Sequence, residues 1–454
     1  MSPDPHVLRD QPDVAATLRS ELADWRQWLV RLVVLGHAAL AGLAVVAFNR
    51  LCDVAGRGFA AVQSLHPLSP LVWTPVLTAL LVWLTRRYAP GTAGSGIPQV
   101  MAALHTGGAR RRRRLVSLRV SLAKMGLTAG SMLAGLAMGR EGPSVQIAAG
   151  VMLHARGWLP RQRGVSSQGL LVAGGAAGIA ATFNAPLAGV MFAIEELSRR
   201  LEQRSSGLLI AAIVLAGLMG VTFFGNTTYF GVIHAPGLPL DLIGWALLVT
   251  MAAGVLGGGF ARLLHASVTG RQQRFARWRA RHPVAFAAAC GLAAAGVGCA
   301  SHGAGFGSGY DYTRELLNGH VDTPVLYVTL RVVATWLAVW SGVPGGIFAP
   351  CLAIGAGIGH NVALLAGTDA GSAALIALGM AAFLAAVTQA PMTSFIIVME
   401  MVDGHAMVLS LMACALIASL VSRLISRPLY GLLMLSLLEP QTAAPRLESP
   451  AGRM

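Results

Sequence analysis

Residues 178–196 read GIAATFNAPLAGVMFAIEE, and residues 382–401 read AFLAAVTQAPMTSFIIVMEM. Each apolar segment has an Ala-Pro pair whose proline lies nine residues before a glutamate, Glu195 in the first and Glu400 in the second. Upstream lies a second pair of signatures, Gly139-Arg-Glu-Gly-Pro143 and Gly346-Ile-Phe-Ala-Pro350. The shifts, 205 and 207 positions, are nearly equal. Two matched signatures in one order indicate an internal duplication, as in transporters that bind substrate where two halves meet.

The composition indicates that this duplicated chain folds in a membrane. Hydrophobic residues make up 55% of it and charged residues 12%, whereas soluble domains are about one-quarter charged. Glycine accounts for 54 of 454 residues, which favours closely packed or broken helices. Many apolar segments are shorter than a full span or are interrupted by Gly and Pro, as in helices that stop inside the bilayer. We therefore predict an all-α integral membrane protein with more helices than full crossings.

Four regions are predicted along the chain. They are a cytosolic N-terminal tail (1–28), a first half of the membrane domain (29–225), a second half (226–438) and a polar C-terminal tail (439–454). The formal charge of +15 comes almost entirely from arginine, which clusters in loops such as 110–114 and 271–281. The positive-inside bias places these loops in the cytosol, and we expect both termini there as well.

The sequence also argues against several other classes of function. No nucleic-acid-binding module accompanies the arginines, so nucleic acid is not expected as a partner. The five cysteines include no C-x-x-C pair, and the histidines form no ligand pattern, so we predict neither a metal nor another cofactor. No nucleophile–base pair is recognisable, and the protein is predicted not to be an enzyme.

Three Gly/Pro breaks form a candidate anion site: GSGIP at 94–98, GREGP at 139–143 and GGIFAP at 345–350. Proline in the first turn of a helix loses no hydrogen bond, and the free N–H groups there carry about half a positive charge. Several such helix ends meeting at one point bind an anion loosely, without a contacting Arg or Lys. Ser95 supplies a hydroxyl donor. The residues that shape the breaks are Gly94, Gly96, Pro98, Gly139, Arg140, Gly142, Pro143, Gly345 and Gly346.

One carboxylate lies within these breaks. Glu141 competes with the anion for the same helix dipoles, so its protonation would release it and couple protons to anions. Phe348 occupies the equivalent place in the second half, which makes the repeat functionally asymmetric. The alternative is a structural salt bridge between Glu141 and Arg140.

Two further charged residues have open interpretations. Glu196 has no acidic counterpart, because Met401 takes its place, and it is a candidate second proton site. The alternative is a helix-end glutamate in water, paired with Arg199 or Arg200. Lys124 is either a buried cation that tunes the field of the site or a lysine that snorkels to the interface.

The three motifs, together with the segment RPLY that ends at Tyr430, resemble those of the CLC family of chloride channels and chloride/proton antiporters. The resemblance extends from about Leu29 to Leu438. It implies a homodimer with one pathway per subunit. Each subunit would be an inverted-repeat bundle of about eighteen tilted, partly broken helices. It also implies a central chloride bound by the hydroxyls of Ser95 and Tyr430 and by the backbone N–H groups of Ile347 and Phe348.

The resemblance further implies that Glu141 is the gating glutamate and Glu196 the internal proton glutamate. An acid at the second position argues for exchange, and Ser95 argues for chloride. Gln99 and Met101 depart from the pattern, because similar bacterial exchangers often carry acids there, near the internal glutamate. The expected function is chloride/proton antiport in a bacterial inner membrane. A passive chloride channel gated by voltage or pH is the alternative, and a fluoride/proton exchanger is a further one.

Overall fold

The structure is a computed structural model that describes residues 24–160, 165–197, 206–225, 228–230, 237–270, 274–319, 326–368 and 372–439. These residues form helices and turns, with two isolated β-bridges, which confirms the prediction of an all-α fold of about eighteen helices. In the first half the helices are α1 (Trp25–Leu65), α2 (Pro70–Tyr88), α3 (Ile97–Leu104), α4 (Ala109–Leu115), α5 (Leu118–Leu133), α6 (Glu141–His154), α7 (Ser167–Phe183), α8 (Pro186–Phe192) and α9 (Ser206–Phe224). In the second they are α10 (Ile243–Thr269), α11 (Arg274–Arg281), α12 (Pro283–Ala300), α13 (Tyr310–Leu317), α14 (Tyr327–Ser341), α15 (Phe348–Ala366), α16 (Ser372–Thr388), α17 (Pro391–Met401), α18 (Val408–Ile425) and α19 (Leu429–Leu438).

The Ala-Pro breaks have the same backbone form in both halves. Asn184 ends α7 at φ 56°, and Gln389, 205 positions later, follows α16 at φ 59°. A single left-handed residue ends a helix, and the proline two positions on occupies the first turn of the next one. The duplication inferred from sequence is therefore present in the backbone.

Each half is built around a pair of helices in close contact. α6 packs on α7 in the first half, and α15 packs on α16 in the second. A Cβ on Gly178 of α7 would lie 2.5 Å from the carbonyl oxygen of Ser144, and one on Gly355 of α15 would collide with the backbone of Gly379. Small residues let helix backbones approach in a membrane, where dispersion replaces the hydrophobic effect as the packing force. The glycine excess is thus explained by helix packing.

Five helical segments are long and apolar enough to cross a membrane: 25–65, 240–269, 283–300, 348–366 and 405–425. Several others are apolar but shorter, among them α7, α14 and α16. Two of the helices that start at the Gly/Pro breaks, α3 and α6, are too short to cross a membrane, whereas α15 is long enough. α1 begins at Trp25, so it crosses the boundary proposed between the tail and the first half, and the four-region division stays a prediction.

Candidate functional site

The three Gly/Pro breaks meet at one place. Gly139 and Gly346, which occupy equivalent positions in the two halves, exchange backbone hydrogen bonds of 2.7 Å in both directions. The N–H of Gly345 donates to the carbonyl of Gly94 at 3.1 Å, which joins the third break to the other two. The starts of α3, α6 and α15 are therefore brought together, as the sequence predicted.

The first turns of α6 and α15 are not capped by the residues that precede them. The residues before them, Arg140 and Ile347, make no side-chain cap to the helix N–H groups. The N-terminal N–H groups of a helix have no intrahelical acceptor. α3 differs, because the Gln99 side chain accepts from the Gly96 N–H at 2.9 Å and donates to the Ala93 carbonyl at 2.5 Å. Gln99, where similar bacterial exchangers often carry an acid, is thus hydrogen-bonded within its own loop.

A buried cation holds the first break in place. Lys124 on α5 is fully buried, and its Nζ donates to the carbonyls of Thr92 (2.8 Å) and Gly94 (2.5 Å). The snorkelling alternative is therefore wrong. Arg331, 207 positions later on α14, is also buried and donates to the carbonyls of Ala304, Phe306 and Gly307.

Lys124 and Arg331 occupy equivalent places in the two halves. This equivalence was not predicted, although the sequence contains a signal for it. The motif Gly-Ser-Gly occurs at 94–96 and again at 307–309, each time just before a short helix. In both halves a cation from a neighbouring helix binds carbonyls of this loop. Asp311 stands where the first half has Pro98, so the second loop has a different charge at its helix N-terminus.

Replacing Lys124 by methionine is expected to destabilise the fold by about 1–3 kcal/mol, because buried carbonyls of the 92–94 loop lose a donor. Thermal unfolding of the purified protein in detergent measures the loss. Lysine-to-methionine retains the apolar stem, so the change isolates the ammonium group. An unaltered unfolding temperature would show that the two carbonyls are satisfied without Lys124.

Two hydroxyls face a common cavity of about 240 Å³. Ser95 and Tyr430 both line it, together with Ile347, and the Phe348 and Tyr430 ring centroids lie 5.9 Å apart. The oxygens Ser95 Oγ and Tyr430 Oη are buried and close to each other, yet neither makes a hydrogen bond of good geometry within the described residues. Leaving a buried hydroxyl unsatisfied costs about 1–3 kcal/mol, so an anion in this cavity would gain two donors.

Glycine makes room for the side chains of this site at two positions. A Cβ on Gly142 would collide with Ser95 Oγ, and a Cβ on Gly139 would collide with Glu141 Oε2. The Ser95 hydroxyl and the Glu141 carboxylate therefore lie directly against the backbone of the second break.

The Glu141 carboxylate is folded back onto the helix starts. It is fully buried, its Oε2 accepts from the Ala349 N–H of α15 at 3.4 Å, and its Oε1 has no hydrogen-bond partner among the described residues. Arg140 forms its ion pair with Asp53 of α1 at 2.6 Å rather than with Glu141. The salt-bridge alternative for Glu141 is therefore not what the structure shows, and the carboxylate occupies a position suited to an anion.

A larger cavity of about 670 Å³ lies on the Arg140 side of this carboxylate. Its lining includes Arg50, Arg57 and Arg140 together with Asp53 and Asp311, so the cationic side chains outnumber the carboxylates there. The Tyr229 ring lies 5.9 Å from the Arg140 guanidinium carbon, and its hydroxyl accepts from Arg140 at 3.5 Å. The sequence analysis did not identify Asp53 or Tyr229, because the packing that brings them to Arg140 links positions roughly 90 residues apart in the chain.

Glu196 lies in a π-helical turn, Ala193–Leu197, that follows α8 and packs on α3 and α7. Among the described residues its carboxyl forms no hydrogen bond or ion pair. The adjacent Glu195 is bound through both oxygens by the N–H groups of Met392 and Thr393. Arg199 and Arg200, the partners in the structural alternative, lie outside the described residues. Met101 packs against the main apolar cluster.

The described residues contain no group of three His, Cys, Asp or Glu side chains that could hold a metal ion. The polar groups that line the two cavities are arginines, aspartates, hydroxyls and backbone groups at the helix starts.

Comparisons of the sequence and of the fold with known proteins agree on one family. A family described as voltage gated chloride channel matches residues 77–423. The H(+)/Cl(-) exchange transporter ClcA of Cronobacter sakazakii is 31% identical over 94% of each chain. A solved structure described as a slow cyanobacterial Cl-/H+ antiporter has a TM-score of 0.74 at 27% identity, covering 90% of this chain and 97% of its own. A CLC-type fluoride/proton antiporter shares the fold, with a TM-score of 0.71 at 21% identity over 90% and 98% of the two chains. The protein is therefore a member of the CLC family of voltage-gated chloride channels and chloride/proton antiporters.

Proposed function

We propose that this protein exchanges chloride for protons across a bacterial inner membrane. The observation that carries the proposal is the Glu141 carboxylate, buried at the start of α15 and not ion-paired with its neighbour Arg140. When ionised, it fills a position that helix dipoles favour for an anion. When protonated, it loses that attraction and leaves the position to chloride. One group thereby links anion occupancy to proton occupancy.

The central chloride in this proposal lies between Ser95 and Tyr430. Their hydroxyls donate from two sides, and the backbone N–H groups of Ile347 and Phe348 donate from the start of α15. In this proposal the ion is held by hydroxyls and helix dipoles rather than by direct contact with a cation, so it can leave quickly. Arg86 and Arg279 line the same cavity and add positive potential there. Lys124 acts through the 92–94 loop, whose shape it fixes, and its charge adds to the field at a distance.

Exchange is favoured over a passive channel by the second carboxylate. Glu196 has no hydrogen-bond or ion-pair partner among the described residues, and it lies on a turn packed against α3, which carries the first break. A second proton carrier, separate from Glu141, is needed only if protons cross the protein. Bacterial relatives named H(+)/Cl(-) exchange transporter agree with this choice. Likeness to the fluoride/proton antiporter is a likeness of fold alone.

The remaining parts of the proposal concern assembly and setting. We expect a homodimer with one pathway in each subunit, a lipid bilayer around it and both termini in the cytosol. The protein acts as a transporter rather than as an enzyme. The arginine-rich segment α11, which joins two of the helices long enough to span a membrane, is consistent with a cytosolic loop under the positive-inside bias.

The decisive test uses the purified protein in liposomes with an imposed chloride gradient. A potassium ionophore clamps the voltage while external pH and chloride are recorded together. Protons that move against their own gradient, driven by chloride, establish exchange. Chloride flux without proton movement would make the protein a channel, and fluoride flux without chloride flux would make it a fluoride transporter.

Replacing Tyr430 by phenylalanine, or Ser95 by alanine, is expected to weaken chloride binding by roughly tenfold to a hundredfold. A hydrogen bond to a charged group contributes about 1.5–3 kcal/mol, and each 1.4 kcal/mol is tenfold in affinity. Isothermal calorimetry of chloride binding measures the change. Tyr88 lies exposed at the end of α2, so Tyr88→Phe is the matched control and should bind normally. Unaltered affinity in Tyr430→Phe would remove Tyr430 from the chloride site.

A further inference from the structure

Two glutamates tie the halves of the protein together in a reciprocal way. Glu195, at the end of the first Ala-Pro segment, accepts from the N–H groups of Met392 (3.1 Å) and Thr393 (2.7 Å) at the start of α17. Glu400, its counterpart 205 positions later, accepts from the N–H groups of Leu187 (3.3 Å) and Ala188 (2.8 Å) at the start of α8. Each half thus caps a helix of the other half. We name these two contacts the glutamate clasps.

Both glutamate clasps are electrostatically favourable. A carboxylate at a helix N-terminus satisfies free N–H groups and meets the positive end of the helix dipole. Since α8 and α17 begin with prolines that cannot donate, the next N–H groups in the chain are the ones bound. Position along the sequence does not predict this contact, because each carboxylate and the N–H groups that donate to it lie about 200 residues apart.

The surroundings of the two glutamate clasps differ in one respect. Glu400 lies within the regular helix α17 and is followed by Met401. Glu195 lies within the π-helical turn Ala193–Leu197 and is followed by Glu196. A π turn contains one more residue than an α turn, so it changes the directions in which successive side chains leave the helix, and such turns are frequent at functional sites.

We propose that Glu195 is a positioning residue for Glu196. Its clasp to α17 holds the π turn, so that of two adjacent carboxylates one is bound through both oxygens and the other has no partner within the part of the chain that the structure describes. That second carboxylate, Glu196, lies on the turn that packs against α3 and α7 and takes and releases a proton. This inference rests on the proposed exchange function and adds a residue to it.

The glutamate clasp of the second half supplies the matched control. Glu400 makes the same kind of contact to the same kind of helix start but has no adjacent acid. If the clasps serve only to join the halves, Glu195→Ala and Glu400→Ala should have equal effects on every measurement. If Glu195 positions Glu196, the two variants should differ in proton coupling.

The test measures chloride and proton flux in the same liposomes for wild type, Glu195→Ala, Glu195→Gln and Glu400→Ala. In Glu195→Ala we expect the number of protons moved per chloride to fall about tenfold or more, because proton transfer depends steeply on geometry. Glu195→Gln keeps the length and one acceptor oxygen, so it should recover part of the coupling. Glu400→Ala should keep the wild-type ratio. Thermal unfolding of all variants compares their stability separately.

Each outcome bears on one assignment. A wild-type ratio in Glu195→Ala, or an equal fall in Glu400→Ala, would show that the clasp has no special effect on Glu196. A Glu195→Ala protein that does not fold leaves the decision to Glu195→Gln, where a wild-type ratio would overturn the assignment. If wild type itself moves no protons, the proposed exchange function fails first, and this inference fails with it.

Discussion

Glu141→Gln is expected to abolish proton transport while chloride continues to move. Glutamine has the size of the protonated side chain but cannot release a proton, so the group that links the two ions is lost. It also carries no charge, and the dipoles at the start of α15 no longer hold it in preference to chloride. Proton flux should fall to the level of empty liposomes, and chloride flux should stay within about an order of magnitude of wild type.

The same variant should bind more chloride. Glu141 occupies a position against Gly139 and the Ala349 N–H, and its neutral replacement competes poorly for that position. Calorimetry should therefore detect an additional chloride, or tighter binding, in Glu141→Gln. The control is Glu315→Gln, which neutralises an exposed carboxylate of α13 and should leave coupling and binding unaltered. Proton pumping that persists in Glu141→Gln would contradict the role given to Glu141.

Glu196→Gln is the second large effect, and it separates exchange from simple conduction. With Glu141 intact but Glu196 neutral, protons reach the anion pathway from the outer side only. We expect proton flux to fall to background while chloride flux is retained, because the chloride ligands Ser95 and Tyr430 are untouched. Chloride affinity measured by calorimetry should equal that of wild type, which distinguishes this variant from Glu141→Gln.

The result that would contradict this expectation is normal coupling in Glu196→Gln. Glu196 would then be a structural helix-end residue, and a different group would carry protons on that side. Gln99 is not such a group, because its amide does not titrate and is bonded within its own loop. The Glu315→Gln control applies here as well, and any loss of coupling in it would indicate a general effect of altered surface charge.

Much of the fold could be predicted from the sequence because its signals are local. Low charge and abundant glycine determine the membrane setting and the close helix packing. The position of a proline determines where a helix starts, and the Ala-Pro breaks at Pro186 and Pro391 therefore appear in the structure where the sequence put them. The duplication followed from comparing the chain with itself. The meeting of the three breaks followed from the duplication together with the dipole argument.

The tertiary structure decided the partners of the charged residues. The pairing of Arg140 with Asp53 leaves Glu141 without that counter-ion, and the glutamate clasp binds Glu195 rather than Glu196. Lys124 donates to loop carbonyls instead of reaching the interface. Helix starts and stops depend on a few neighbouring residues, so composition and motif determine them. An ion pair or a helix cap depends on which segments pack together, and here the glutamate clasps join segments about 200 residues apart, so only the folded chain determines them.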